Sequence, residues 1–377
     1  MKADNSRRSF LASGLALPLA RSASVASSAA PAVNYRVLGK TGLKVSTVGF
    51  GCMITSDPSV ISRALDMGIN HFDTSRDYQD GNNERMVGAA LGDRRKGIVL
   101  STKTDGLDTQ AALKELDTSL KELKTDYLDI WYLHDKGKAS DLTDGLYEAQ
   151  QRAKKAGKIR FAGVSTHGGH AEVIPAAVKS GRFDVILTSY NFAMDKQMEG
   201  LVQSAQSAGV GVVAMKVIAG SFPLPGISSQ ARALMKRPGA ALAALKWVLR
   251  NPNVATTIPS MTDADQLAEN AKAMGAPFGP ADQKLLALQL DLIRPLYCRM
   301  CGACEGRCPK GVPVADALRC LMYAEGYGQF PLARARFQGL SRGAATSDCH
   351  LCPSCAVQCP NGVRVQQRLI RAQELLA

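Results

Sequence analysis

Ile98-Val99-Leu100-Ser101-Thr102-Lys103, then Ala111 to Leu123, then Leu128-Asp129-Ile130-Trp131-Tyr132-Leu133-His134 decide the fold of this chain. The outer two segments are apolar runs of strand length. The middle one is amphipathic with helical spacing. Strand, helix, strand implies parallel pairing through a right-handed crossover. The alternation continues outward on both sides. Upstream, Tyr35 to Leu43 reads as a small hairpin around Gly39-Lys40-Thr41-Gly42, followed by strand candidates at Val45–Gly51 and Asn70–Ser75. Downstream come Ile159–Ser165, Val185–Asn191, Val210–Lys216 and Val254–Ser260, with an amphipathic stretch at Leu142–Ala156. Gly68, Gly157, Gly181 and Gly209 stand where helices should stop. Eight strand–helix units predict an α/β fold, a closed (β/α)8 TIM barrel over residues 33–278. A doubly wound open sheet would want a Gly-rich dinucleotide fingerprint after its first strand, and Gly49-Phe50-Gly51-Cys52 does not supply one.

In such a barrel, chemistry belongs at the C-terminal ends of the strands. Those ends carry Asp73, Lys103 and His134, then Ser165 and His167, Asn191, Lys216 and Ser260. Tyr78 follows Asp73 in the loop that should hang over the mouth. Ionisable groups ending apolar strands are costly unless paired, so they are expected to meet. A buried Lys near a Tyr and a carboxylate is expected to shift the phenol toward acid work at neutral pH. Taken singly, each residue also has a bland reading: a hydrogen-bonded core His, or an Asp that caps the next helix.

The C-terminal segment, 279–377, carries a different signal. Cys298-x-x-Cys301-x-x-Cys304-x-x-x-Cys308-Pro309 is repeated as Cys349-x-x-Cys352-x-x-Cys355-x-x-x-Cys359-Pro360. This is the spacing of the bacterial two-cluster ferredoxin, in which the fourth Cys of each run ligates the other cluster. It predicts two [4Fe-4S] clusters, one on Cys298, Cys301, Cys304 and Cys359, the other on Cys349, Cys352, Cys355 and Cys308. Zinc or disulfides would give no reason for the duplicated ending. Cys52 and Cys320 lie outside the pattern and read as small buried hydrophobes. Gly279 to Arg294 reads as a helix long enough to climb the barrel wall and set the cysteine runs near the mouth, with 332–343 placed to close over a substrate.

Ser6-Arg7-Arg8-Ser9-Phe10-Leu11 precedes an apolar stretch, Phe10 to Ala20, too short to span a bilayer. Small residues follow, with a cleavage point expected after Ser24-Val25-Ala26. Residues 1–32 resemble a twin-arginine export signal, which implies a translocase partner during export, a periplasmic location and no integral membrane segment in the mature chain. The net charge of +13 is spread along the chain, without a basic block interleaved with aromatics, so nucleic acid is not an expected partner. From Arg294 to Ala377 there are eleven Arg and Lys against five Asp and Glu. That surplus offsets anionic clusters or suits an acidic redox partner protein.

Between Asn34 and Met274 the chain resembles the aldo/keto reductases. The resemblance rests on Phe72-Asp73-Thr74-Ser75 with Tyr78 and Asn83-Glu84, on Ser101-Thr102-Lys103, Tyr132-Leu133-His134 and Gly163-Val164-Ser165, and on Ile258-Pro259 with Glu269-Asn270. The whole chain looks like the branch with a C-terminal ferredoxin-type module. The resemblance implies catalytic roles for Asp73, Tyr78, Lys103 and His134: Tyr78 as general acid toward a carbonyl oxygen, Lys103 and Asp73 tuning it, His134 orienting the carbonyl. It implies a nicotinamide cofactor held by Ser165, Asn191, Ser260 and Asn270. Many members grip the 2′-phosphate of NADP with a Lys and an Arg; here Ser260 and Gln266 stand there, leaving NADP or NAD open. Lys216 replaces a different residue near the nicotinamide and is expected to reach cofactor or substrate. The expected activity is interconversion of a carbonyl in a sugar or small aldehyde with an alcohol. The alternative is an electron-carrying or binding protein on an inactive barrel. Nicotinamides deliver two electrons as hydride whereas each cluster passes one, so the clusters are either structural staples or a route to an outside partner.

Overall fold

The computed structural model describes residues 33–219, 239–340, 344 and 347–377. The export signal expected at 1–32, and 341–343 of the expected cover, lie outside the described residues. The region Pro31–Ala377 forms one compact unit, so barrel and tail pack as a single body.

Strands β1 (Tyr35–Val37) and β2 (Lys44–Ser46) make an antiparallel hairpin. The barrel follows: β3 (Phe50–Gly51), β4 (His71–Asp73), β5 (Val99–Thr104), β6 (Leu128–Leu133), β7 (Ile159–Thr166), β8 (Val185–Ser189), β9 (Gly211–Met215) and β10 (Thr256–Thr257). All neighbours in this sheet pair in parallel and in chain order. Parallel bridges from Val48 to Thr257 and from Gly51 to Ser260 join the last strand to the first and close the barrel. One expectation is corrected. The run 45–51 is not one strand: Lys44–Ser46 belongs to the hairpin and only Phe50–Gly51 to the barrel. Continuous apolarity cannot reveal that cut, because both pieces are buried.

Helices α1 (Pro58–Asp66), α2 (Asn82–Leu91), α3 (Thr109–Glu122), α4 (Asp144–Lys155), α5 (His170–Ser180), α6 (Gln197–Ser207), α7 (Ala240–Leu249) and α8 (Ala264–Ala271) surround it. Side-chain caps start several of them: Asp57 accepts from Ser59 N, Asp108 from Ala111 N, Thr143 from Leu146 N, and Asp263 from Asp265 N and Gln266 N. The four glycine stops all take left-handed φ.

The predicted climbing helix is α9 (Pro280–Ile293), at 1.5 Å per residue roughly 21 Å long. It packs on α7, pinned by Lys246 to Asp282 at 2.6 Å. The tail then folds as α10 (Val314–Glu325), α11 (Phe330–Gln338) and α12 (Val365–Leu376). It has its own core, in which Leu321, Phe337, Leu369 and Leu376 are buried among the cysteines. Among the described residues, no helix is long and apolar enough to cross a membrane.

Candidate active site and cysteine centres

Parallel strands with outward helices point the strand C-termini at one end, and there a cavity of about 380 Å³ opens, within the usual range for small-molecule sites. Asp73, Tyr78, Lys103 and His134 all line it. Strands β4 and β5 are neighbours, which sets Lys103 Nζ 2.5 Å from Asp73 Oδ2. The same ammonium donates to Thr74 O at 2.6 Å, and Ser101 Oγ donates to Asp73 Oδ1 at 2.7 Å. Both charges are almost wholly buried, so each makes the other tolerable.

Tyr78 opens a short 3₁₀ turn, Tyr78–Gly81, in which Gln79 and Asp80 take left-handed φ of 52° and 53°. The turn is anchored by Gln79 Nε2, which donates to Met53 O and Thr55 O, and by Asn83, which donates to Cys52 O and accepts from Thr74 Oγ1. Lys103 Nζ lies 4.8 Å from the Tyr78 ring centroid, and the His134 ring meets Tyr78 edge-on at 6.4 Å. The phenol is shifted opposite to expectation. Burial, then the carboxylates of Asp73, Asp77 and Asp105, push it well above 10. The ammonium is spent on Asp73 and Thr74 O.

Three acids not singled out from the sequence sit beside these groups. Asp105 lies 3.1 Å and Asp77 3.8 Å from His134 Nδ1. Burial works to lower the imidazole, but Asp105 and Asp77 together raise it above the ordinary histidine range. Asp135 sits next to His134 in sequence, with left-handed φ of 51°. Burial works to raise its carboxyl, but His167 and Arg319 hold it far below the usual carboxylate range. Asp105 and Asp135 lie two and one residues beyond strand ends already named, so a wider reading of those ends would have found them.

The tail supplies the opposite wall. Arg319 from α10 pairs with Asp135 at 2.6 Å. Arg336 from α11 pairs with Asp77 at 2.5 Å and approaches Asp105 at 3.7 Å. Tyr323 and Tyr327 also face the cavity. Of the expected cover, Leu332, Ala335, Arg336, Gly339 and Leu340 line it. No sequence signal marked Arg319, Tyr323 or Tyr327. Cys52 and Cys320 are buried as expected, yet both line the cavity too.

The residues expected to hold a cofactor divide into two groups. Lys216 and Ser260 line the cavity. Ser165 is buried behind it, its Oγ accepting from Asp135 N at 3.0 Å. Asn191 Nδ2 donates to Lys216 O at 2.9 Å and to Tyr297 Oη at 3.1 Å. Asn270 is buried on α8. Gln266 is turned onto its own helix start, bonded to Thr262 and Asp263.

All ten cysteines are unpaired. Cys298 has Cys304, Cys301 and Cys359 as its electrostatic neighbours, and Cys349 has Cys352, Cys308 and Cys355. The fourth Cys of each run thus joins the other run's first three. Asn361 Nδ2 donates to Cys301 Sγ, and Met300 N to Cys298 Sγ, both at 3.4 Å. Among the described residues, the one group of three ligand atoms within 4.8 Å of one another is Asp77, Asp105 and His134. The first run rests directly on the barrel. A Cβ on Gly168, in the loop after β7, would lie 3.2 Å from Met300 O.

The description of the aldo/keto reductase family matches residues 56–287. An uncharacterised oxidoreductase, YqkF, of Bacillus subtilis is 30% identical over 303 residues, covering 70% of this chain and 97% of its own. L-galactose dehydrogenase of Arabidopsis thaliana is 30% identical over 283 residues, covering 64% and 88%. The holo form of aldo-keto reductase AKR11C1 from Bacillus halodurans superposes with a TM-score of 0.59 at 30% identity, covering 68% and 96%.

Proposed function

Since the chain belongs to the aldo/keto reductase family, we propose that it is an exported oxidoreductase that interconverts a carbonyl and an alcohol with a nicotinamide and carries two [4Fe-4S] clusters. The observation that carries the reductase reading is the meeting of Asp73, Tyr78, Lys103 and His134 on one cavity. In this reading a nicotinamide held there would supply the hydride for the carbonyl carbon. Tyr78 gives its phenolic proton to the carbonyl oxygen as negative charge gathers there. A phenol held above its ordinary value stays protonated in the ground state, yet remains a far stronger acid than the forming alcohol. Lys103, fixed by Asp73 and Thr74 O, presents positive charge to the face of the ring. His134, fixed by Asp105, orients the carbonyl. Ser260, already at the cavity, and Ser165, Asn191 and Asn270 behind it are the side chains that would hold the nicotinamide end, while Lys216 faces the cavity where a substrate would lie. Gln266 sits at the helix start where a 2′-phosphate grip would be needed, and an amide there favours no charge. The relative that is an L-galactose dehydrogenase makes a sugar aldehyde the first substrate class to try.

The cysteine sets fit iron–sulfur clusters in two respects: the fourth cysteine of each run lies with the first three of the other, and amides donate to two sulfurs, as second-shell donors do for such ligands. Such clusters pass electrons singly. Export is proposed from the Arg7-Arg8 motif, and a route for folded proteins suits a chain whose metal binding is coupled to folding.

The test is anaerobic purification of the full chain, assay of nicotinamide oxidation against a panel of sugars and aldehydes, and mass analysis of released ligand. About eight irons and eight sulfides per chain, with turnover of at least one carbonyl, is expected. Stoichiometric zinc without sulfide, or no turnover and no nicotinamide binding, refutes the corresponding half. Replacing Arg7 and Arg8 with Lys should leave the protein in the cytoplasm, and unchanged periplasmic appearance refutes export.

A further inference from the structure

The charges around the cavity can be paired one by one. Asp73 has Lys103, Asp77 has Arg336 and Asp135 has Arg319. Lys216 is left over: among the described residues that line the cavity, it is the one lysine or arginine with no carboxylate within 4 Å. It stands just beyond β9 with left-handed φ of 54°, a conformation that costs an ordinary side chain energy. Its Nζ sits 5.0 Å from the Tyr323 centroid and 5.6 Å from that of Tyr327. Two rings of the tail therefore box a barrel ammonium against the cavity. Burial and then Arg319 pull this amine down to about 7, while Asp135 works weakly the other way. His167, lining the same wall, is pushed well below the ordinary histidine range by burial and by Lys216, and its Nδ1 has no hydrogen-bond partner.

We propose that Lys216, walled by Tyr323 and Tyr327 and backed by Arg319 and His167, is an anion subsite that receives the carboxylate or phosphate of an anionic carbonyl substrate. This deepens the reductase reading and rests on it. A surplus cation in a cavity whose other charges are matched is stabilised by a ligand anion. The aromatic faces hold the ammonium in place without neutralising it. The neutral His167 can donate one N–H to the same anion. The dinucleotide's own phosphates share this chemistry, so the test separates the two sources.

Full-length protein with its metal content verified is titrated by calorimetry with D-glucuronate and with D-glucose, which differ by a carboxylate in place of a hydroxymethyl group. Wild type should prefer glucuronate. Lys216→Gln should shrink that preference about 10- to 100-fold, Lys216→Arg should keep most of it, and NAD and NADP affinities in Lys216→Gln should stay within a few-fold of wild type. A preference that Lys216→Gln leaves intact overturns the proposal. So does a preference left intact alongside a large loss of NAD or NADP affinity, which assigns the ammonium to a cofactor phosphate. Lys216-dependent glucuronate binding with no nicotinamide oxidation for either sugar refutes the reductase reading and leaves the subsite standing. Turnover of glucose with no glucuronate preference does the reverse.

Discussion

On the barrel side of the cavity, Asp73, Ser101 and Lys103 hold one another across adjacent strands, and the partners are 30 residues apart or fewer in sequence. On the tail side, Arg319 and Arg336 reach acids 184 and 259 residues away. The two walls also differ in what their ion pairs do. The Asp73–Lys103 pair is wholly buried and fixes a charge beside Tyr78. The arginine pairs are clasps between two modules, partly open at the cavity rim, with Arg319 13% exposed and Arg336 35%. The barrel wall thus carries the groups read as catalytic, and the tail wall shapes who may enter. The cavity is therefore a joint product, complete only when the tail is folded onto the mouth.

Each half of that comparison can be broken separately. On the barrel wall, Tyr78→Phe should lower carbonyl reduction about 10²–10⁴-fold, the usual loss for a general acid, with nicotinamide affinity nearly intact. Steady-state rates within a few-fold of wild type would remove Tyr78 from the acid role. On the tail side, Cys304→Ala should cost one cluster, reducing iron from about eight per chain to about four, and should loosen α10 and α11 from the mouth. Iron analysis and hydrogen exchange in Arg319–Leu340 read both effects, and full iron content contradicts the ligand assignment. Arg319→Ala strands Asp135 without its cation, and removing one partner of a mostly buried pair costs about 3 kcal/mol. Thermal unfolding should show that loss, and Arg319→Lys should restore part of it. An unchanged midpoint would mean that the clasp contributes nothing.

The smallest effect concerns pH. Because His134 is raised above its unfolded value, the stability it gains from Asp105 and Asp77 is full below about 6.5. It is lost as pH rises through the higher folded-state value. Asp105→Asn should flatten that part of the stability profile. A profile that keeps its slope in this variant would show that some other group titrates there.

Much of this was legible without coordinates. The apolar runs ending in Asp73, Lys103 and His134 put both the barrel and its working face in the sequence, because parallel strands in a closed barrel must all end on the same side. The exchange of the fourth cysteine between the two runs was likewise written in the spacing. The direction of the Tyr78 shift was not, since it depends on Lys103 facing Asp73 and on three carboxylates lying nearby. Nor was the break between Lys44–Ser46 and Phe50–Gly51, because a buried run has one appearance whichever sheet each piece joins.

What the sequence determined by itself is therefore periodic or covalently local: strand and helix alternation, residues at strand ends, and cysteines at fixed spacing. What only the tertiary structure decided is which distant side chains share one cavity. Arg319 and Tyr323 on α10, Tyr327 in the turn after it and Arg336 on α11 carry no sequence signal of the barrel groups they meet. Their neighbours are set by the climb of α9 and by the docking of Met300 on Gly168. The physical reason is that short-range pattern fixes backbone geometry, whereas charge pairing across a cavity depends on where two independently patterned modules come to rest.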